Sequence, residues 1–83
     1  MMITAPSDQI LRHLASICGT DEVRSNPDLA LYEREFMDSL KTVEFIVALE
    51  KEFGLYVSPA ELERENWATP RKVVADIERR LSQ

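Results

Sequence analysis

The residues of this chain best placed to do chemistry are Asp38 and Ser39, which stand where an apolar-periodic segment begins after a long irregular one. A hydroxyl in the first turn of a helix lies near free backbone N–H groups and the positive end of the helix dipole, so a phosphate ester on Ser39 would be stabilised there. The same pair can simply cap the helix, with Asp38 as the N-cap and Ser39 as an ordinary first-turn residue. On these two residues alone the capping interpretation is favoured, because capping is their commoner use.

The sequence gives little support to other chemistry at Ser39 or to a metal site. A serine hydrolase needs a base and an oxyanion hole, but Ser39 is not in a Gly-x-Ser-x-Gly elbow, and the single histidine, His13, is predicted to be exposed on the first helix. A zinc site needs clustered ligands, whereas Cys18 and His13 are isolated, and the acidic residues between positions 21 and 28 lack the pattern of a calcium loop. The sequence therefore predicts no catalytic centre and no metal site, and Cys18 is interpreted as a core residue.

Length and charge restrict the class of protein. The 83 residues suffice for one small domain, spanning 1–83, with one core. A net charge of −5 argues against a nucleic-acid binder and favours partners with basic surfaces, although the acidity can also serve solubility alone. No stretch is apolar enough for a membrane span, and residues 1–7 lack the basic start and apolar run of a signal peptide. We therefore expect a cytoplasmic monomer.

Hydrophobic periodicity predicts an all-α protein: a small four-helix bundle with a long loop between the first two helices and a short third helix. The predicted helices cover residues 7–18, 39–53, 59–64 and 70–81. Residues 19–38 lack this periodicity but contain scattered apolar side chains, so we expect the loop to pack against the core, with room for a helical turn near Val23. No run alternates with a two-residue period for long enough to predict a strand.

Start and stop signals accompany the predicted helices. Ser7 is a candidate N-cap, Gly54 a stop signal, and both Ser58–Glu61 and Thr69–Pro70 are typical of helix starts. Trp67, between the third and fourth helices, is predicted to anchor their packing. The second helix carries a broad apolar face made of Leu40, Val43, Ile46, Val47 and Leu49.

Longer segments of the chain resemble a known family. The run from Met37 to Gly54 resembles the acyl and peptidyl carrier proteins around their modified serine. Glu61–Pro70, with its Trp-x-Thr-Pro pattern, is similar to the corresponding segment of the D-alanyl carrier proteins, and Asn26–Leu29 and Tyr32–Glu33 resemble the loop of that subgroup. The resemblance spans nearly the whole chain from the first helix onward, and it implies the four-helix carrier fold.

Two positions depart from the D-alanyl carrier pattern. The subgroup commonly has a glycine where this chain has Glu35, and that glycine could adopt a left-handed backbone conformation. It also commonly has a glycine two residues after the serine, where this chain has Lys41. Both changes retain the hydroxyl but alter the surface that partner enzymes would touch.

The resemblance implies a function that involves a covalent cofactor. Ser39, with Asp38 as part of its motif, would receive 4′-phosphopantetheine from coenzyme A through a phosphopantetheinyl transferase, and the protein itself would not be an enzyme. A D-alanine-activating ligase would load the terminal thiol, and membrane-bound acyltransferase machinery, met at the inner face of the membrane, would pass D-alanine to teichoic acids. Tethering raises the effective concentration of the activated group at each partner.

Candidate partner contacts surround the serine. They are Phe36, Met37, Leu40, Val43 and Glu44. Two alternative functions stay open at this point: a stand-alone carrier for fatty-acid, polyketide or nonribosomal peptide synthesis, and a helical adaptor that binds a basic partner and is never modified. The adaptor hypothesis predicts that Ser39 is dispensable.

Overall fold

The computed structural model describes residues 6–82, and every regular element in that range is helical. The elements are α1 (Pro6–Cys18), α2 (Glu22–Ser25), α3 (Ser39–Phe53), a 3-10 helix (Arg64–Trp67) and α4 (Pro70–Leu81). α1 contacts each of the other α-helices, and α4 also contacts the 3-10 helix. The predicted all-α bundle, with its long first connection and short third helical element, is confirmed.

The core draws side chains from the helices and from the long loop. Leu29, Leu31 and Met37 of the loop are buried as completely as the helical core residues, so the loop is packed, as expected, and α2 forms the helical turn at Val23. Each fully buried large apolar side chain contributes roughly 1.5–3 kcal/mol to stability. The helices and the link after α3 supply Ile10, Leu14, Phe45, Leu49, Val57, Trp67, Val73 and Ile77.

Helix ends follow the predicted signals with two exceptions, at Ser7 and at Ser58–Glu61. α1 begins at Pro6, so Ser7 lies inside the helix and is not its N-cap; proline suits a first helical position because it lacks an N–H that would need an acceptor. Gly54 ends α3 in a left-handed conformation with φ of 65°. Thr69 caps α4, since its Oγ1 accepts a hydrogen bond of 3.2 Å from the backbone N–H of Lys72.

The third helix is displaced from the predicted range 59–64. The chain instead makes a turn closed by a 3.1 Å bond from the Glu61 N–H to the Ser58 carbonyl, and the 3-10 helix follows at Arg64–Trp67. Leu62 is the only large apolar side chain between the buried residues Val57 and Trp67. The segment therefore lacks the apolar stripe that would hold an α-helix against the core.

Trp67 is the anchor that the sequence predicts. Its side chain is fully buried, and its ring meets that of Phe45 edge to face, with centroids 5.3 Å apart. Its indole N–H donates a 2.9 Å hydrogen bond to the carboxylate of Asp76 in α4. Trp67 thus connects the 3-10 helix to both α3 and α4.

No helix within residues 6–82 is long and apolar enough to cross a membrane. Residues 1–5 and residue 83 lie outside the described range. The sequence-based expectation about a signal peptide falls mainly on that first segment and stays a prediction.

Candidate functional site

Asp38 caps α3 and leaves the neighbouring hydroxyl unused for capping. Its backbone is extended, and its Oδ1 accepts a 2.8 Å hydrogen bond from the N–H of Lys41. The Asp38 carbonyl accepts from both the N–H and the hydroxyl of Thr42, at 2.8 and 2.6 Å. Because Asp38 performs the capping, the exposed hydroxyl of Ser39 stands at the first helical position with no structural task in the helix.

A Schellman motif just upstream sets the start of α3. The carbonyl of Leu31 accepts from the N–H of Phe36 at 2.9 Å, and the carbonyl of Tyr32 accepts from the N–H of Glu35 at 3.1 Å. This pattern requires a left-handed residue, and Glu35 supplies it with φ of 62°. The turn sends the next side chain, that of Met37, into the core and brings the chain to the surface at the serine.

Arg64 contacts the serine from the opposite side of a cleft. Its Nη2 donates a 3.1 Å hydrogen bond to Ser39 Oγ, and its guanidinium carbon lies 4.8 Å from the centroid of the Tyr32 ring. The Tyr32 hydroxyl lies 2.7 Å from Thr42 Oγ1. Since the single hydroxyl hydrogen of Thr42 goes to the carbonyl of Asp38, the Tyr32 hydroxyl must be the donor in this pair. Side chains from the loop, α3 and the 3-10 helix therefore meet around Ser39.

The cleft beside Ser39 has a volume of about 180 Å³. Its surface combines hydroxyl and guanidinium groups with aliphatic carbon. The lining residues are Tyr32, Ser39, Thr42, Val43, Pro59, Leu62 and Arg64. Such a mixed surface suits the charged and apolar parts of a flexible chain better than a compact apolar ligand.

The side chain that hydrogen-bonds to the Ser39 hydroxyl, that of Arg64, is not a general base. A guanidinium stays protonated, so Arg64 cannot accept the hydroxyl proton. His13 lies instead against the last turns of α3, where its Nε2 is 3.7 Å from Glu52 Oε2. The prediction that His13 is exposed is wrong, because this packing between α1 and α3 leaves its side chain only 29% exposed.

Cys18 is buried, as predicted. Burial raises the pKa of its thiol, and the positive charge of Lys41 only partly opposes this effect. In the part of the chain that the structure describes, no group of three or more His, Cys, Asp or Glu side chains is placed to hold a metal ion.

The predicted partner contacts divide into exposed and buried residues. Leu40 is 70% exposed, Val43 and Glu44 are also exposed, and Phe36 is half-buried. Met37 is 1% exposed. Met37 is therefore a core residue, and the prediction that it contacts partners is wrong.

The buried face of α3 also differs from the predicted one. Phe45, Ile46 and Leu49 face the core, whereas Leu40, Val43 and Val47 lie along an outward stripe. The apolar residues of α3 occupy more than one face of the helix. The contact between Phe45 and Trp67 turns the Phe45 face toward the core. The exposed residues Leu40, Val43 and Val47 form an apolar stripe that starts beside Ser39.

Three residues of the site were not identified as such from the sequence: Tyr32, Thr42 and Arg64. The position of Thr42 could have been recognised from the sequence, because a threonine four residues after an N-cap can donate a hydrogen bond from its hydroxyl to the carbonyl of the capping residue. Arg64 had no such local signal, since 25 positions separate it from Ser39 and only the tertiary fold brings the two together.

Comparisons with known proteins agree with this geometry. A family model described as a phosphopantetheine attachment site matches residues 8–77. The D-alanyl carrier protein of Bacillus velezensis is 41% identical over 66 residues, covering 80% of this chain and 85% of that protein. Those of Enterococcus faecalis and Lactococcus lactis are 38% identical over 71 residues and 34% identical over 76 residues. These two alignments cover 86% and 92% of this chain and 91% and 96% of the relatives.

Proposed function

Because this chain belongs to the phosphopantetheine-attachment family and, within it, is related to the D-alanyl carrier proteins, we propose that it carries D-alanine on a 4′-phosphopantetheine group attached to Ser39. The observation that carries the proposal is the exposed Ser39 hydroxyl at the start of the 15-residue helix α3, released from capping by Asp38. The family is one of carriers, which are not themselves catalysts.

The residues around Ser39 fit the proposed group. The hydroxyl is exposed, the positive end of the α3 dipole faces it, and the Arg64 guanidinium lies at 3.1 Å, so a phosphodiester there would meet favourable charge. The bound group would supply a thiol that holds an acyl group as an activated thioester. The chain itself contributes the anchoring oxygen and the surface that partners recognise.

The attachment step requires a partner, as the chemistry of Ser39 indicates. A bond forms between Ser39 Oγ and the phosphorus that bears the pantetheine, while the pyrophosphate bond of coenzyme A breaks and adenosine 3′,5′-bisphosphate leaves. The hydroxyl proton must pass to a base, and Arg64 cannot accept it. We therefore assign the base to a separate phosphopantetheinyl transferase.

Further partners in the proposal are a D-alanine-activating ligase and a membrane-bound acyltransferase that uses D-alanine for teichoic acids. Leu40, Val43 and Glu44 are the exposed candidates for contacts with these proteins. The net charge of −5 favours basic docking surfaces on them. In this proposal the carrier works as a cytoplasmic monomer and meets the acyltransferase at the inner face of the membrane.

The test of attachment is incubation with coenzyme A and a broad-specificity phosphopantetheinyl transferase, followed by intact mass measurement. Wild type should gain one phosphopantetheine group, and Ser39→Ala should gain none. Ser16→Ala, which removes an exposed hydroxyl from α1, is the matched control and should be modified like wild type. A wild-type protein without mass gain would contradict the proposal and favour an unmodified adaptor.

The test of the cargo uses the modified protein with ATP and a D-alanine-activating ligase. We expect a thioester with D-alanine, released by hydroxylamine, and slower loading with L-alanine or other amino acids. Preferential loading by an enzyme of fatty-acid, polyketide or peptide synthesis would contradict the D-alanine assignment while leaving the carrier function in place.

A further inference from the structure

Arg64 differs from most arginines of this protein in having no carboxylate within 4.0 Å among the described residues. Within residues 6–82, Arg12, Arg24, Arg71, Arg79 and Arg80 each lie within 4.0 Å of an aspartate oxygen. The guanidinium of Arg64 instead donates to the neutral hydroxyl of Ser39. A cation that forms no ion pair within residues 6–82 is thus held beside the proposed attachment oxygen.

The position of Arg64 is fixed by its neighbours although its side chain is exposed. The guanidinium lies over the face of Tyr32, a contact worth about 0.5–1 kcal/mol at exposed sites. The Tyr32 ring is in turn held by the hydrogen bond from its hydroxyl to Thr42 in the first turn of α3. Arg64 therefore points at Ser39 before any anion is present.

We infer that Arg64 is the phosphate-binding residue of the attachment site and forms a charge-assisted contact with the phosphodiester on Ser39. The inference rests on the proposed function. On modification, the hydroxyl that Arg64 now contacts becomes an ester oxygen, and the adjacent phosphoryl oxygens carry negative charge. A planar guanidinium suits such oxygens because two of its N–H groups can bind them side by side, and charge-assisted bonds are stronger than the present neutral one.

This contact couples modification to the segment that carries Arg64. Arg64 opens the 3-10 helix that ends at the buried Trp67, so a stronger bond to the serine side of the cleft would hold this segment more tightly against α3. The modified protein should therefore be more stable than the unmodified one. The gain should be smaller in 1 M salt, where the screening length falls to about 3 Å.

The test compares modified and unmodified forms of wild type, Arg64→Gln, Arg64→Lys and Arg34→Gln. Arg34 is the matched control, since its guanidinium lies 5.6 Å from the centroid of the Phe36 ring, whereas the guanidinium that hydrogen-bonds to Ser39 Oγ is that of Arg64. We expect the ³¹P resonance of the modified protein to move in Arg64→Gln, to move less in Arg64→Lys, and to stay in place in Arg34→Gln. The rise in Tm on modification should be several degrees in wild type and Arg34→Gln and should be lost in Arg64→Gln.

A second measurement requires modification of the wild-type protein alone, in case Arg64→Gln is a poor substrate of the transferase. The side-chain N–H resonances of Arg64, assigned in the unmodified forms from their absence in Arg64→Lys, should shift on modification and exchange more slowly with water. Unchanged Arg64 resonances, or a ³¹P resonance and Tm rise insensitive to Arg64→Gln, would overturn the inference. Intact mass separates this outcome from a failure of the proposed function, which would show as no modification of wild type.

Discussion

The indole N–H of Trp67 donates a 2.9 Å hydrogen bond to the carboxylate of Asp76, and both side chains are buried. Arg80 Nε donates to the same Asp76 oxygen at 2.9 Å, and Arg79 donates to the other oxygen. Asp76 is thus a charged group inside the protein whose hydrogen-bonding partners come from two elements. Breaking such a buried arrangement costs more than its net contribution to stability, because the partners that remain are left without an acceptor.

We expect Asp76→Ala to lower the free energy of unfolding by about 2–4 kcal/mol, because the Trp67 N–H loses its buried acceptor. Urea unfolding followed by Trp67 fluorescence measures the loss. Asp28→Ala is the matched control: Asp28 pairs with Arg71 at 3.1 Å on the surface, and removing it should cost less than about 1 kcal/mol. Equal losses in the two variants would contradict a structural role for the buried carboxylate.

The same carboxylate should make stability depend on pH. Burial alone would raise the pKa of Asp76, but the hydrogen bonds from Arg80, Trp67 and Arg79 outweigh burial and hold that pKa below its ordinary value. Since the unfolded chain then binds the proton more readily, this stabilisation is present above pH of about 4 and is lost as pH falls through the folded pKa. The difference in unfolding free energy between wild type and Asp76→Asn should be constant between about pH 5 and pH 7 and should shrink below about pH 4. A stability difference that grows on acidification would contradict the predicted direction of the pH dependence.

Glu35→Gly should stabilise the protein. Glu35 holds a left-handed conformation that costs an L-residue about 1–2 kcal/mol, while glycine costs roughly 0.4–1 kcal/mol through the entropy of the unfolded chain. We expect a net gain of about 0.5–1 kcal/mol in chemical unfolding. Glu33→Gly, two residues earlier and without positive φ, carries only the entropic cost and should destabilise. A loss of stability in both variants would mean that the Glu35 side chain makes contributions beyond its backbone.

Capping of α3 should depend on Asp38, and attachment of the phosphopantetheine group should depend on the adjacent Ser39. Asp38→Ala removes the acceptor of the Lys41 N–H and should cost about 1 kcal/mol, while Asp38→Asn keeps an acceptor and should cost less. Ser39→Ala should change stability by no more than about 0.5 kcal/mol, as expected of an exposed position, yet abolish modification. Thermal unfolding and intact mass, measured on the same samples, test both halves of this prediction.

Substitution of Met37 should lower stability, whereas substitution of Leu40 should slow the reactions with partner enzymes. Met37→Ala should lower the free energy of unfolding by about 2–5 kcal/mol, because the side chain is buried. Leu40→Ala should leave stability within about 0.5 kcal/mol of wild type and slow modification or loading, because Leu40 is exposed beside Ser39. If Leu40→Ala is modified by the transferase and loaded by the ligase at wild-type rates, Leu40 does not contribute to docking with either enzyme.

The sequence was informative at several helix ends, where the signals are local. Asp38 as a cap, Gly54 as a stop and the Thr69–Pro70 start depend on neighbouring residues, and the structure agrees with each. The orientation of α3 was not predictable in this way, because apolar residues occupy more than one of its faces and the distant Trp67 determines which face is buried. The contact of Arg64 with Ser39 could not be predicted either, because only the tertiary fold brings these two residues together.

Glu35 shows a different limit of sequence analysis. The D-alanyl carrier pattern commonly has a glycine at this position, and the structure shows that Glu35 adopts the left-handed conformation instead, with φ of 62°. Two hydrogen bonds close the Schellman motif and the buried side chain of Met37 follows it, so the surrounding contacts determine the backbone more strongly than the preference of one residue.

The burial of Cys18 has a consequence for the fate of the cargo. A thioester can pass to any accessible thiolate, and a carrier with a reactive cysteine of its own could lose its acyl group to that side chain or form a disulfide with its own arm. The single cysteine of this chain is shielded from solvent, and burial raises the pKa of its thiol. In the proposed function, self-acylation and arm-to-protein disulfides are thereby suppressed, and the arm's thiol is the accessible thiol that the carrier presents.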